Sequence, residues 1–230
     1  PNDELKSESS NNFEIGLRGD FKKYNFEITG FYNQYTNFIE EYRYEECLEK
    51  GDELAKECYK LANKYGDTDI AVTSTNKNIG GARIWGIEFT NKYKFGSNKN
   101  GFSFLTSSGY THGQDTISNQ PLSNIDPFKV VSGLRYTNFD ERFTGELIGT
   151  YVGEVAKNDV AAYEPEGYYT VDLLAKYQVN DQLDLSLGVN NIFDEEYYQY
   201  QNLPYNASAS GIEQYREAGR SIRAGFKFTF

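Results

Sequence analysis

The single histidine of the sequence is the first residue with a capacity for chemistry. His112 lies in the run Tyr110-Thr111-His112-Gly113, and an imidazole with a tyrosine nearby could ligate a haem iron. A lone histidine is more often an exposed loop residue than a ligand. His112 is therefore kept as a candidate ligand-binding residue, and no resident metal site is predicted.

The same histidine is the only candidate base with an ordinary pKa near neutrality. Catalysis of hydrolysis needs a nucleophile or an activated water beside a positioned base. The nearest acid in sequence is Asp115, and no serine motif surrounds the pair. We therefore predict no catalytic residues and no enzymatic activity; an outer-membrane barrel hydrolase is the alternative of a different class.

Tyrosines suggest a second kind of chemistry, which is recognition. The sequence has 20 of them, and tyrosine provides contact area at low entropic cost. Several tyrosines lie outside the strand-like runs, and four of them are candidate ligand-binding residues together with His112: Tyr42, Tyr44, Tyr59 and Tyr65. For Tyr197 and Tyr198 we favour a place in an aromatic girdle at a membrane interface.

Alternating residues near the carboxyl end predict the elements that position these side chains. Leu183, Leu185, Leu187 and Val189 alternate with polar or small residues, and the run from Ser221 to Phe230 repeats the pattern. Such alternation is typical of strands with one apolar and one polar face. The three aromatics on one face of the final strand favour a closed barrel, which leaves no unpaired edge and exposes aromatics to lipid.

The segment between these two strands carries a family pattern. It reads NNIFDEEYY from Asn190 to Tyr198, and Ala218-Gly219-Arg220 leads into the last strand. It resembles the carboxy-terminal signature of TonB-dependent outer-membrane receptors: Asn-Leu-Phe-Asp, a tyrosine pair, Pro-Gly-Arg and a terminal Phe. Ile192 replaces the Leu and Ala218 the Pro. The matching residues are Asn190, Asn191, Phe193, Asp194, Tyr197, Tyr198, Gly219, Arg220 and Phe230.

Two further stretches are similar to the haem and haemoglobin receptor branch of that family, which also includes transferrin and lactoferrin receptors. Pro1 to Glu8 resembles its Asn-Pro-Asn-Leu box followed by Lys-Pro-Glu, but Asp3-Glu4 makes it one residue longer and Ser7 replaces the second Pro. The run PLSNIDPFKVVSGLRY from Pro121 to Tyr136 resembles the same branch. In that branch the haem-ligating histidines lie upstream of the box, so the resemblance implies that they precede Pro1.

Seven more alternating runs precede the final two. The connections after the first, third, fifth and seventh runs are short, and those after the second, fourth, sixth and eighth are long. Membrane barrels have short periplasmic turns and long outer loops. We predict an all-β fold: an antiparallel transmembrane β-barrel segment with about nine strands of a larger, about 22-stranded plugged barrel. The charged residues expected to face the lumen are Glu14, Arg18, Glu27, Glu88, Arg135, Glu146 and Arg223.

Residues 40–74 interrupt the alternation and are predicted to form an extracellular loop insert. Asp52 can cap a helix from about Glu53 to Lys64, with Gly66 just past its end. The only cysteines, Cys47 and Cys58, lie here, and in a cell-surface loop they predict a disulfide worth about 3 kcal/mol in the loop-entropy model. Two free thiols in a cytosolic protein are the alternative. Residues 1–230 as a whole are predicted to be the carboxy-terminal part of a receptor barrel, with this insert as one of its outer loops.

Composition excludes two function classes. No 18-residue apolar run is present, which excludes a transmembrane helix but not a barrel whose strands are polar at every second position. The net charge of −11 argues against a nucleic-acid partner.

A soluble β-sandwich binding module is a further alternative for the same strands, besides the receptor barrel and the hydrolase. It predicts that the protein is soluble without detergent.

The resemblance implies a function in the bacterial outer membrane. It implies TonB-dependent uptake of haem, or of iron from host haem and iron proteins such as haemoglobin, with a ferric siderophore as the alternative ligand. The implied partners are the lipid bilayer and the TonB–ExbB–ExbD energy-coupling complex. No covalently bound cofactor is expected, and haem or a ferric complex would be the transported ligand. An amino-terminal plug and the first part of the barrel would lie upstream of this chain.

Overall fold

The computed structural model describes residues 4–43, 74–95, 100–122, 125–156, 165–203 and 212–230. These residues form two antiparallel sheets. Their strands are β1 (Ser9–Asp20), β2 (Tyr24–Thr36), β3 (Ile39–Arg43), β4 (Ser74–Asn78), β5 (Gly81–Lys94), β6 (Gly101–Asp115), β7 (Lys129–Thr137), β8 (Phe143–Val152), β9 (Tyr168–Gln178), β10 (Leu183–Asn190) and β11 (Ser221–Phe228). Among the described residues no helix is long and apolar enough to cross a membrane.

The larger sheet has nine strands in the order β1-β2-β5-β6-β7-β8-β9-β10-β11. Neighbouring strands are antiparallel throughout, and β1 and β11 form the two ends. This confirms the predicted all-β segment of a barrel with nine strands. The short connections, 21–23, 95–100, 138–142 and 179–182, join the strands at one end of the sheet. The long connections join them at the other end, which we call the outer end.

The short turns are closed by side chains that mimic backbone hydrogen bonds. Asn138 Oδ1 accepts the backbone N–H of Phe143 at 2.9 Å. Asn180 Oδ1 accepts the N–H groups of Gln182 and Leu183, both at 2.9 Å. Asparagine favours such turns because its side chain reaches nearby backbone donors, so these residues hold consecutive strands in register at the end of the sheet that has the short turns.

The register separates an apolar outer face from a polar inner face, because directly paired residues lie on the same side of a sheet. Leu134, Leu147, Leu173 and Val189 are paired in succession across β7 to β10. Apolar residues of this face remain exposed, for example Ile15 at 80% and Phe226 at 77%. In each strand, the charged residues predicted to face the lumen alternate with the residues of this apolar face. All seven therefore lie on the inner face.

The smaller sheet is a ribbon of β3 and β4 that continues from the outer ends of β2 and β5. The predicted insert therefore does not break the strand pattern at Glu40: its first residues pair with Ser74–Asn78. Alternation missed this ribbon because neither strand has an apolar face. The sequence of β4, for example, is STNKN.

Asn78 holds the segment before β1 against the base of this ribbon. Its Oδ1 accepts the backbone N–H of Lys6 at 2.7 Å, and its Nδ2 donates to the carbonyl of Lys6 at 2.9 Å. Glu8 Oε2 also accepts the N–H of Ile39 at 2.8 Å. The Pro1 to Glu8 stretch singled out in the sequence is thus attached, over its described residues, to the strands that lead into the insert.

Candidate functional site

The family-like segment after β10 begins with a tight turn built on Asn191. This residue is 3% exposed and has a left-handed φ of 51°, which asparagine tolerates better than most residues. Its side chain closes the turn on both sides, accepting the N–H of Glu195 and donating to the carbonyl of Glu195, each at 2.9 Å. Asp172 Oδ1 on β9 accepts the N–H of Asn191 at 2.7 Å. The turn is therefore fixed to the neighbouring strand.

Asp194 closes the loop that Asn191 opens. Its Oδ1 accepts the backbone N–H of Arg220 at 2.6 Å, and Arg220 Nη1 donates to the carbonyl of Ile192 at 3.3 Å. Gly219 is needed beside it, because a Cβ at this position would lie 2.6 Å from Asp194 Oδ1. Three residues of the family pattern thus join the two ends of the last outer loop.

Tyr197 attaches the same loop to the inner face of the sheet. Its ring stacks on Tyr168, with centroids 4.2 Å apart and planes 29° apart, and Tyr168 is on the inner face in register with Val152. Burial, together with the nearby Glu217 carboxylate, raises the pKa of Tyr197 above its ordinary value. The predicted place of Tyr197 and Tyr198 in an outward aromatic girdle is therefore wrong: the loop turns inward, and Phe193 is the residue that stays 63% exposed.

Polar contacts fix the rest of this loop. Tyr198 donates its hydroxyl to Glu213 Oε1 at 3.2 Å, and Asn202 Nδ2 donates to Glu217 Oε1 at 2.6 Å. Gln201 Nε2 donates to Asp126 Oδ1 at 2.5 Å, which connects the loop to the segment before β7. The last outer loop consequently covers part of the inner wall at the outer end of the sheet.

A cavity of about 450 Å³ lies between this loop and the wall. Its floor is one row of the inner face, in which Glu88, Gly109, Lys129, Val152 and Tyr168 are paired in succession across β5 to β9. Side chains of the loops line the rest, among them Asp126, Pro127, Glu166, Tyr198, Tyr200 and Gln201. A volume of this size suits a small ligand, and the lining combines tyrosine rings with charged groups of both signs.

A second inner-face groove lies nearer the short turns. Arg135 reaches Glu146 with Nε at 3.1 Å and Nη2 at 2.8 Å, and the carboxylate side chain is 16% exposed. Lys176 pairs with Asp184 at 3.0 Å. Arg223 lines the same groove. The two ion pairs lie on the inner face, where Arg135 and Glu146 were predicted to lie.

His112 is a strand residue and not an exposed loop residue, because β6 continues beyond it to Asp115. It belongs to β6 and pairs with Trp85 of β5, and their rings are 5.5 Å apart. Trp85 also packs against Tyr110 at 5.6 Å. These residues share the apolar outer face, so His112 points away from the cavity.

Several predicted residues lie outside the described part of the chain. They are Tyr44, Tyr59, Tyr65, the predicted disulfide of Cys47 and Cys58, and the predicted helix from Glu53 to Lys64. The backbone of Tyr42 lies in β3, opposite Thr75. The role of the four tyrosines in ligand recognition, the disulfide and the helix stay predictions.

Sequence reasoning missed some of the residues that shape the cavity. Tyr168 and Lys129 could have been found, since strand parity alone puts them on the inner face with Glu88. Asp126 and Gln201 could not, because they lie in two loops far apart in sequence, and no local pattern indicates that the loops meet.

Comparison with known proteins agrees with this architecture. Residues 1–192 match the family model described as "TonB dependent receptor-like, beta-barrel". Hemoglobin-haptoglobin utilization protein B of Neisseria meningitidis serogroup A is 24% identical over 251 residues, covering 96% of this chain and 30% of that protein. The probable hemoglobin and hemoglobin-haptoglobin-binding protein 4 of Haemophilus influenzae is 24% identical over 262 residues, covering 100% and 25%.

Solved structures share the fold at lower identity. The copper transporter OprC superposes with a TM-score of 0.77 at 20% identity, covering 99% of this chain and 32% of that one. The pyoverdine receptor FpvA of Pseudomonas aeruginosa PAO1 gives 0.69 at 21% identity, covering 98% and 30%. The chain therefore spans about a third or less of the length of these proteins.

Proposed function

Since the chain belongs to the TonB-dependent receptor β-barrel family, we propose that it is part of a receptor that takes up haem, or iron from host haem and iron proteins. The family is located in the bacterial outer membrane, where the apolar outer face of the sheet meets lipid. The relatives named for haemoglobin and haemoglobin-haptoglobin align over nearly the whole chain, and they support this ligand class.

The observation that carries the proposal is the cavity under the last outer loop. It lies on the inner wall at the outer end of the strands, where a ligand captured by the outer loops would enter the lumen. The stacked pair Tyr168 and Tyr197 and the hydrogen bond from Gln201 to Asp126 hold the loop over it. A preformed cavity lowers the ordering cost of binding.

Lys129 is the cationic side chain that lines this cavity within the described residues. A haem carries two carboxylates, and an ammonium group in a partly enclosed site is a suitable partner for one of them. The tyrosine rings of Tyr168, Tyr198 and Tyr200 offer flat apolar surface beside it. We assign Lys129 to recognition of a propionate and the rings to packing against the macrocycle.

The experiment is a titration of haemin into the detergent-purified full-length receptor, followed by Soret absorbance, with ferric siderophores tested in a separate binding assay. We expect a saturable shift near one haem per receptor. Lys129→Gln should weaken binding about 3-fold to 10-fold, in line with one partly exposed charge-assisted contact. Lys176→Gln is the matched control, because Lys176 pairs with Asp184 in the second groove. No shift with haemin, together with binding of a siderophore, would overturn the haem assignment.

A ferric siderophore is the second candidate ligand. The ferripyoverdine receptor of Pseudomonas aeruginosa is 46% identical to this chain over 48 residues, 21% of the chain. That short match has a higher identity than the long matches to the haemoglobin-related proteins, although it covers much less of the chain. The same titrations separate the two ligands.

The insert of residues 40–74 is assigned to capture of the host protein. Its support is the β3–β4 ribbon, which is more than a simple connection needs, together with Tyr42, Tyr44, Tyr59 and Tyr65. The disulfide of Cys47 and Cys58 would constrain it, and mass spectrometry before and after reduction tests the bond. Deletion of residues 44–73 should weaken haemoglobin binding and leave haemin binding intact; unchanged haemoglobin binding would remove the assignment.

Energy for uptake would come from the TonB–ExbB–ExbD complex, as the family name implies. The whole receptor would contact it through segments outside this chain. We propose a receptor role without catalysis, because the matching family consists of receptors. Growth on haemin as the iron source, with and without a functional TonB protein, tests this coupling.

A further inference from the structure

The β3–β4 ribbon continues from the wall through two links, residues 37–38 and residues 79–80. The strands have the same pairing register on both sides of these links. Asn37 interrupts the extended conformation, because its φ is left-handed at 53°. The next residue, Phe38, packs edge-on against Tyr35 with ring centroids 5.1 Å apart. The ribbon is therefore a continuation of the β2–β5 pair with a bend at Asn37.

Two strands by themselves do not fix the direction of such a ribbon. An isolated pair of strands is marginally stable in water, and β3 and β4 pair with no third strand among the described residues. The ribbon also has few apolar side chains to pack against the wall, since the sequence of β4 is entirely polar. Contacts at the bend must therefore hold the ribbon in one orientation.

The side chain of Asn78 makes the largest set of polar contacts at the bend. Its Oδ1 accepts the backbone N–H of Lys6 at 2.7 Å and its Nδ2 donates to the carbonyl of Lys6 at 2.9 Å, as the backbone of a paired strand would. The same Nδ2 group donates to the carbonyl of Asn37 at 2.7 Å. A carboxamide has two N–H donors and one carbonyl, so both donors and the carbonyl of Asn78 are in use.

Glu8 adds a bond between the same parts of the chain. Its Oε2 accepts the N–H of Ile39, the first residue of β3, at 2.8 Å. Because Ser9 pairs with Thr36 at the outer end of the sheet, residues 4–8 enter β1 beside the ribbon. This segment is thus bonded to both strands of the ribbon, although the Lys6 contact spans 72 positions of the sequence.

We propose that Asn78 is a positioning residue for capture of the host protein. It holds the ribbon and residues 4–8 as one unit, so that the insert carried by the ribbon keeps one direction at the outer end of the sheet. This inference rests on the function proposed above for residues 40–74. Because coupling between two sites is reciprocal, a protein bound to the insert also restrains residues 4–8 through Asn78.

The test is hydrogen exchange, measured by mass spectrometry, of the full-length receptor in detergent with and without haemoglobin. In the unmodified receptor we expect haemoglobin to slow the exchange of the amides of residues 4–8. In Asn78→Ala this protection should disappear, and haemoglobin binding should weaken about 3-fold to 10-fold, the effect of losing a few partly exposed hydrogen bonds. Haemin binding should stay unchanged, because Asn78 does not line the cavity under the last outer loop.

Two further variants make the test specific. Glu8→Ala removes the bond to Ile39 from the other side of the attachment and should change both measurements in the same direction. Asn138→Ala is the matched control, since it removes an asparagine acceptor of a backbone N–H at the opposite end of the sheet. It should leave both measurements unchanged. Compact gel mobility shows that each variant is folded.

Haemoglobin that binds without protecting residues 4–8 would overturn the proposal, and so would equal protection of this segment in Asn78→Ala. An unchanged haemoglobin affinity in both Asn78→Ala and Glu8→Ala would overturn it as well. Failure of the capture function is recognised separately, because deletion of residues 44–73 would then leave haemoglobin binding intact. The exchange of residues 37–43 without haemoglobin then still tests the attachment, and Asn78→Ala should accelerate it.

Discussion

Asp194 and Arg220 are joined by a hydrogen bond of 2.6 Å from the backbone N–H of Arg220 to the carboxylate, although 26 positions separate them in the chain. The bond closes the last outer loop at its base, next to the first residue of β11. It explains why a carboxylate and a Gly-Arg pair occur together in the family pattern. Because its base is closed, the last outer loop needs few further contacts to stay over the cavity, such as the stacking of Tyr197 on Tyr168 and the hydrogen bond from Gln201 to Asp126.

Removal of the carboxylate should open the base of the loop. We expect Asp194→Ala to lower the free energy of unfolding of the receptor by about 1–3 kcal/mol, because the N–H of Arg220 loses a charged acceptor. Asp194→Asn keeps an acceptor oxygen and tolerates the left-handed φ of 60°, so it should cost less. The measurement is the temperature at which the purified barrel loses its compact gel mobility. Asp181→Ala, in a short turn, is the control, and a shift as large as that of Asp194→Ala would contradict the specific role of the bond.

A methyl group at position 219 should have a similar effect by a different route. The Cβ of Gly219→Ala would lie 2.6 Å from Asp194 Oδ1, so the carboxylate has to move and its bond to Arg220 weakens. We expect a loss of about 1–3 kcal/mol, within the range for overpacking. Gly149→Ala is the matched control, since a Cβ there meets no atom within 4 Å. Equal melting temperatures for the two variants would show that the loop relaxes freely.

Alkaline pH should release the loop from the inner wall. The pKa of Tyr197 is raised above its ordinary value of 10.0 by burial and by Glu217, so folding favours the neutral phenol. This contribution is fully present below pH 10 and is lost as the pH rises through the folded-state pKa. The melting temperature of the unmodified receptor should fall more steeply above pH 10 than that of Tyr197→Phe, which keeps the stacking ring. Parallel pH profiles would contradict the assignment.

The ion pair of Arg135 and Glu146 allows a test by charge exchange. Arg135→Glu places two carboxylates in contact on the inner wall and should destabilise the barrel by about 1 kcal/mol, a partly exposed interaction. The double variant Arg135→Glu with Glu146→Arg should recover most of that loss. Urea unfolding in detergent of the unmodified receptor, Arg135→Glu, Glu146→Arg and the double variant gives the coupling energy. A double variant no more stable than the single one would show that the pair contributes through packing alone.

Alternation predicted the nine strands because each crosses an apolar band with side chains on two distinct faces. Alternation predicted the ends of the strands less accurately, because strands can continue past the edge of the apolar band. Alternation predicts that the first strand begins at Phe13 and the fourth ends at about His112. The polar residues Ser9–Asn12 and Gly113–Asp115 are also paired, so β1 begins earlier and β6 ends later. The β3–β4 ribbon was missed for the same reason.

The candidate site was predicted only in part. The motif residues Asn191, Asp194, Gly219 and Arg220 were found as a pattern, but the pattern carries no information on the bonds that they form. The inward turn of Tyr197 depends on Tyr168, a contact between a loop and a strand. The sequence indicated that the strand ends near His112, because the residues that extend β6 beyond it are polar and have no strand signal.

The order of the nine-stranded sheet also bears on how the wall is assembled. The strands of the large sheet pair in the order in which they occur along the chain. All of these pairings join strands linked by one connection, except that the β3–β4 ribbon and the insert separate β2 from β5. Folding is faster when contacts are local, and hairpins can be added one after another. Loss or gain of one hairpin during evolution would leave the other pairings intact, which gives such a wall a simple route to a different circumference.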